Sequence, residues 1–193
     1  MKRICVFCGS SVGVRPAYAA AAAALAQRLA AQGVGIVYGG GNVGLMGVLA
    51  DVALEAGGEV IGVIPHSLVA KEVAHTRLGD LRVVGSMHER KALMAELSDA
   101  FIALPGGFGT LEEFCEVLTW NQLGLQRKPC GLLNIEGFYD PLLSMFDRAV
   151  EEQFVKPQHR RMVISDGEPE SLVDRLVHAE VPAVDKWMGR QQT

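Results

Sequence analysis

Two charged residues stand where an amphipathic helix would carry apolar ones. Met87, Arg90, Met94 and Leu97 recur at helical spacing, which sets a guanidinium in an apolar row near a helix start, where a cation opposes the dipole. Glu113, Val117 and Trp120 repeat the pattern with a carboxylate, whereas Glu112 and Glu116 share the adjoining, solvated row. Facing a cleft, such a pair would supply a carboxylate for charge stabilisation or proton transfer and a cation to hold it. Snorkelling of each side chain, or a purely structural Arg90–Glu113 ion pair, would give the same pattern, and the residues alone leave both accounts open.

Three loops could form that cleft: Gly9-Ser10-Ser11, the run from Gly39 through Gly40, Gly41, Asn42 and Val43 to Gly44, and Pro105-Gly106-Gly107-Phe108-Gly109-Thr110. Each can present backbone N–H groups, and the last two lead into helix N-termini, which favour anions. Gly39, Gly41 and Gly44 satisfy G-x-G-x-x-G, but Pro65-His66 stands where a dinucleotide fold needs an acidic residue for the ribose. Neither glycine loop continues into Gly-Lys-Ser/Thr, so the phosphoryl-transfer P-loop is excluded. Tight turns and close helix packing are the structural alternative for these glycines. The five histidines lack metal-ligand spacing, and no Gly-x-Ser-x-Gly elbow occurs. Lys91 could bind phosphate or form a Schiff base, although a Lys early in a helix is more often solvated. Nothing local marks Glu72.

These residues must be positioned by a scaffold, and short apolar runs alternating with helical patterns specify βα units feeding a mostly parallel sheet. Strands are predicted at 3–8, 34–38, 59–64, 82–84, 100–104, 130–133 and, weakly, 163–165. Most are continuous apolar stretches, as strands buried on both faces are. Helices are predicted at 16–31, 44–56, 87–97, 110–123, 139–152 and 170–178. Pro16 opens the first, and Ser86 with Glu89 forms a capping box before the third. The fold class is α/β, a single-domain Rossmann-like doubly wound sheet flanked by helices over residues 1–181, with 182–193 a loosely held tail.

Composition agrees. With 193 residues, 49% of them hydrophobic and 21% charged, one core is expected and disorder is excluded. A net charge of −4 without a basic block argues against a nucleic-acid partner. The longest apolar run, residues 17–26, is too short to span a membrane. The apolar stretch 4–8 is too short for a signal peptide, so a soluble cytoplasmic protein is expected. Four cysteines are too few for a disulfide scaffold. Cys5 and Cys8, three apart on a strand, face opposite sides and cannot share a metal.

Gly39-Gly40-Gly41 with Gly44-Leu45-Met46-Gly47, then Met87-His88-Glu89-Arg90-Lys91, then Pro105-Gly106-Gly107-Phe108-Gly109-Thr110-Leu111-Glu112-Glu113 together resemble the Lonely Guy (LOG) family of cytokinin-activating phosphoribohydrolases. That family's hallmark is P-G-G-x-G-T-x-x-E preceded by an Arg-Lys pair, and the likeness runs from about residue 3 to about residue 165. Members have often been labelled lysine decarboxylases, a name these residues do not support, since no element resembles a pyridoxal-phosphate site.

The resemblance implies that Arg90 and Glu113 are catalytic. It implies substrate contacts from Glu72, Lys91, Gly107, Phe108, Gly109, Thr110 and Thr119, with Gly106, Ser10, Gly40 and Gly41 added from the reading of the glycine loops. The implied reaction cleaves the N-glycosidic bond of adenine-type nucleoside 5′-monophosphates to free base and ribose 5-phosphate, without metal or organic cofactor, in a homodimer. Whether the substrate carries an N6 group or is plain AMP is left open. Two other classes remain: a non-catalytic nucleotide- or molybdenum-cofactor-binding module, which would have no use for Glu113, and a nicotinamide-dependent oxidoreductase, which would have to bind NADH.

Overall fold

In the computed structural model, which describes residues 1–69 and 74–182, the strands form one wholly parallel sheet. They are β1 (Arg3–Phe7), β2 (Gly35–Tyr38), β3 (Val60–Pro65), β4 (Asp80–Val84), β5 (Ala100–Ala103), β6 (Cys130–Leu133) and β7 (Val163–Asp166). Their order is β4-β3-β2-β1-β5-β6-β7. The inner strands read as apolar throughout because both faces are covered, and β2, β3, β5 and β6 are buried along their whole length. The edge strands β4 and β7 are part-buried and carry Asp80, Arg82 and Asp166, charges that discourage further strand pairing. β4 starts earlier than its apolar residues predict, because Asp80 and Leu81 pair with Ile61 and Gly62.

Helices α1 (Pro16–Ala31), α2 (Gly44–Glu55) and α8 (Pro169–Val177) cover one face; α4 (Met87–Glu96), α5 (Phe108–Gln122) and α6 (Asp140–Glu151) cover the other. Two short helices, α3 (His66–Val69) and α7 (Pro157–Arg160), were not expected from the sequence. α1 and α2 pack against each other, with the small Ala22, Ala26, Ala50 and Ala53 all buried in one core, while Leu25 and Leu29 are fully buried, each worth about 2 kcal/mol of transfer energy. A larger side chain at Ala26 would wedge these helices apart. Cys5 lies in the core on the α4–α5 side and Cys8 in that on the α1–α2 side, the opposite-face geometry expected of strand residues three apart. All four cysteines are free.

The capping box forms with one change of partner. Ser86 Oγ accepts the Glu89 N–H at 3.1 Å, but Glu89 Oε2 accepts the N–H of Gly85 at 2.7 Å, one residue before the cap. α5 begins two residues earlier than predicted, with Gly107 as its N-cap.

At the centre of the sheet β1 pairs with both β2 and β5. The chain leaves β1 for α1 on one face and leaves β5 for α5 on the other, so the loops part and open a crevice at the carboxyl ends of the strands. Residues 183–193, nearly all of the expected tail, lie outside the described residues, as do residues 70–73 and with them Glu72. No described helix is long and apolar enough to cross a membrane.

Candidate active site

The three glycine-bearing loops interlock at this crevice through their backbones. Gly9 donates its N–H to Pro105 O at 3.1 Å, and Gly9 O accepts the Leu45 N–H at 3.1 Å, which ties the β1 loop to the starts of both α5 and α2. Gly44 sits at φ 59°, and a Cβ there would collide with the backbone of Ser10 and Ser11, so only glycine permits this approach.

α5 starts without a side-chain cap, since its N-cap is Gly107. Its first-turn amides, on Phe108, Gly109 and Thr110, have no acceptor within the helix and face the crevice with the positive end of the dipole. A cavity of about 220 Å³ opens there, lined by Ser10, Gly107, Phe108, Gly109, Thr110, Arg90 and Glu113, together with Cys8, Gly9 and Met46. Phe108 is 93% exposed at its mouth.

Arg90 enters from α4. Its Nε donates to Val63 O at 3.1 Å and its Nη2 to Gly39 O at 3.5 Å, while Nη1 lies 3.6 Å from Glu113 Oε1. The two side chains are only 8% and 11% exposed. At that separation the pair is held by charge and not by a tight bidentate lock. Burial first, and then the Glu113 charge, push the Cys8 thiol far above its usual range, so Cys8 presents a neutral thiol and not a nucleophile. Among the described residues no group of three or more His, Cys, Asp or Glu could hold a metal ion.

A family model described as "Possible lysine decarboxylase" matches residues 46–176. The chain is 54% identical over 175 residues to the "Probable cytokinin riboside 5'-monophosphate phosphoribohydrolase LOGL9" of Oryza sativa subsp. japonica, covering 91% of this chain and 77% of that one. It is 48% identical over 195 residues to "Cytokinin riboside 5'-monophosphate phosphoribohydrolase LOG1" of Arabidopsis thaliana, covering 98% and 92%. The chain belongs to the LOG family. Among solved structures it is similar to a molybdenum cofactor binding protein from the phototrophic bacterium Rippkaea orientalis, with a TM-score of 0.67 and 27% identity over 90% of this chain and 94% of that one.

Of the candidate site residues, the cleft brings together Arg90, Glu113, Ser10 and the segment Gly107 to Thr110. Gly106 lies beneath that segment, with no room for a Cβ beside Thr110. Others are elsewhere. Gly40 and Gly41 are buried under residues 74–75, where Gly40 O accepts the His75 N–H and Gly41 bridges Ala74. They shape the turn next to Arg90 and do not line the cavity.

Lys91 points along α5 instead, with Nζ 2.5 Å from Glu112 and 3.0 Å from Glu116. Burial pulls its ammonium down, but these two carboxylates outweigh that and raise it. The row of Glu112 and Glu116 that reads as solvated is therefore the anchor of Lys91. Thr119 is exposed, gives its hydroxyl to Cys115 O at 2.8 Å, and lines a separate cavity with Cys115 and His159. Cys8 and Met46 line the cleft although neither was expected at the site; the available signal was their position, one at a strand end and one in a first helical turn.

Proposed function

We propose that this LOG-family protein hydrolyses the N-glycosidic bond of N6-modified adenosine 5′-monophosphates, releasing the free cytokinin base and ribose 5-phosphate. The observation that carries the reading is the buried Arg90–Glu113 pair set beside the uncapped start of α5. The names of relatives about half identical over nearly the whole chain support it.

In this reading the 5′-phosphate seats on the amides of Phe108, Gly109 and Thr110, and its binding energy holds the ribose over Glu113. As the C1′–N9 bond breaks, the base leaves with the bonding pair and takes a proton from solvent, to which the proton lost by the attacking water is finally returned, and positive charge builds on the sugar. The Glu113 carboxylate stabilises that charge and takes the proton of the water that attacks C1′. Arg90, fixed by two carbonyls, holds the Glu113 carboxylate in place by charge. No step calls on a metal or an organic cofactor.

We further infer a homodimer built on the α5–α6 face. Leu125 and Met145 are 71% and 63% exposed there, and Phe154 is 85% exposed just beyond α6. A second copy is the simplest cover for them. In a single chain Thr119 lies away from the cleft, so a substrate contact from it would have to cross to a partner's site. Free cysteines suit a reducing cytoplasm.

A second reading, a non-catalytic cofactor-binding module, is favoured by the likeness to the Rippkaea orientalis protein. Incubation with AMP and with isopentenyladenosine 5′-monophosphate, followed by assay of free base and ribose 5-phosphate, separates the readings. Stoichiometric release of both products, faster from the isopentenyl substrate, is expected. Faster release from AMP would make the protein an AMP nucleosidase, and no release from either would favour the binding module.

A further inference from the structure

Away from the cleft, one polar cluster around a buried histidine has no part in the chemistry described so far. His75 is 1% exposed and opens a turn of residues 75–78 that lies over the Gly39–Gly41 turn. The backbone N–H of Arg77 donates to His75 Nδ1 at 3.3 Å, which makes Nδ1 the acceptor and puts the ring proton on Nε2. Nε2 faces Asp51 Oδ1 on α2 at 2.8 Å, and the Arg77 guanidinium binds the same carboxylate. The backbone N–H of His75 in turn donates to Gly40 O at 3.0 Å, and Ala74 bridges Gly41.

The turn gripped in this way consists of three consecutive glycines, the sequence with the greatest backbone freedom, and Gly40 adopts φ 77°. Such a turn has no side chains with which to anchor itself. Beneath it lies β3, so close that a Cβ on Gly40 would stand 3.3 Å from Ile64 Cβ and 3.4 Å from Val63 N. Beside it lies Arg90, held by the carbonyls of Gly39 and Val63. Fixing the turn therefore fixes one of the two carbonyls that aim the guanidinium.

We propose that Asp51 and His75 are positioning residues for Arg90: they clamp residues 74–78 onto the Gly39–Gly41 turn and thereby set the Gly39 carbonyl that orients the guanidinium toward Glu113. The proposal rests on the reading of Arg90 and Glu113 as the catalytic pair. It assigns no substrate contact to His75 or Asp51, so their loss acts on turnover through Arg90 and leaves phosphate binding at α5 in place.

The test is a double-mutant cycle on the full chain, with kcat and KM measured for release of ribose 5-phosphate and urea unfolding followed in parallel. His75→Leu is expected to lower kcat about tenfold, the scale of a sub-ångström misplacement, with KM within about twofold. His75→Gln, whose amide nitrogen can still reach Asp51, restores most of the rate. In an Arg90→Ala background His75→Leu adds less than about twofold, because the residue it positions is gone. Should His75→Leu not fold, Asp51→Ala removes the acceptor from the half-exposed side and is expected to lower kcat alike, with Asp51→Asn as its rescue.

An undiminished kcat in the folded single variants overturns the clamp, as does the same tenfold loss in the Arg90→Ala background. So does a loss that follows unfolding and is not restored by Gln. Wild-type turnover in Arg90→Ala alone removes the reading of the site and the clamp with it. A crippled Arg90→Ala beside an unaffected His75→Leu removes the clamp only.

Discussion

Adding one methyl group at Gly39 is expected to abolish most of the activity without replacing either member of the proposed Arg90–Glu113 catalytic pair. Gly39 is not among the positive-φ glycines, so its backbone accepts alanine. A Cβ there, however, falls well inside contact distance of Arg90 Nη2, and stands 3.3 Å from Cζ and 3.4 Å from Met46 Sδ. All three are side-chain atoms, two of them on the Arg90 guanidinium, so the guanidinium yields before the backbone does. It must retreat by about 1 Å, and misplacement on that scale costs about a hundredfold in rate.

Folding suffers less. Overpacking costs about 1–3 kcal/mol, and a chain of this length loses roughly 2–4 °C of Tm per kcal/mol. The assay is steady-state release of ribose 5-phosphate beside a thermal melt, with Gly79→Ala as control, since a Cβ there meets nothing within 4 Å. Gly39→Ala that folds and keeps kcat within about twofold of wild type would refute the idea that the position of Arg90 governs turnover.

Adenosine should react at least about a hundredfold more slowly than AMP, because the amides at the start of α5 then bind nothing; comparable rates of adenine release would remove the phosphate from that site. Sedimentation should find a dimer whose dissociation on dilution is matched by loss of activity, whereas a fully active monomer at assay concentration would contradict both the α5–α6 interface and its link to the cleft. Burial pushes the Asp51 carboxyl up, but hydrogen bonds from His75 and Arg77 and the charge of Arg77 outweigh it and hold it below its usual value. The stability this contributes is present above the unfolded value of 3.8 and is lost as pH falls through the lowered one. Urea unfolding should therefore find Asp51→Asn less stable than wild type at pH 7 and the two converging in strong acid; a gap independent of pH would count against the pairing.

The sheet was legible because its strands are buried on both faces and so appear as unbroken apolar runs. Its edges were blurred where pairing, and not apolar character, extends a strand, as at Asp80. Glycine hid the start of α5, since an N-cap without a side chain carries no signature. Arg90 and Glu113 were legible as charges out of place in apolar rows, and their apposition follows from α4 and α5 lying side by side on one face of the sheet.

The pairing of Lys91 with Glu112 and Glu116 could not be read from the sequence, because these partners lie on another helix, 21 and 25 residues away. The grip of His75 on Gly40 passes through backbone atoms, and a hydrogen bond between main-chain groups leaves no mark on residue identity. Thr119 came from family likeness alone, and a single chain does not bring it to the cleft.

The central claim is that the Glu113 carboxylate, buried against Arg90, supplies the charge on which glycosidic cleavage depends. Glu113→Gln keeps the shape and removes the charge, so its turnover of isopentenyladenosine 5′-monophosphate, measured beside calorimetric binding of the same nucleotide, is the most direct test. The expected result is a fall in kcat of about a hundredfold or more, with affinity changed only a few-fold. Near-normal release of ribose 5-phosphate by this variant would contradict the account.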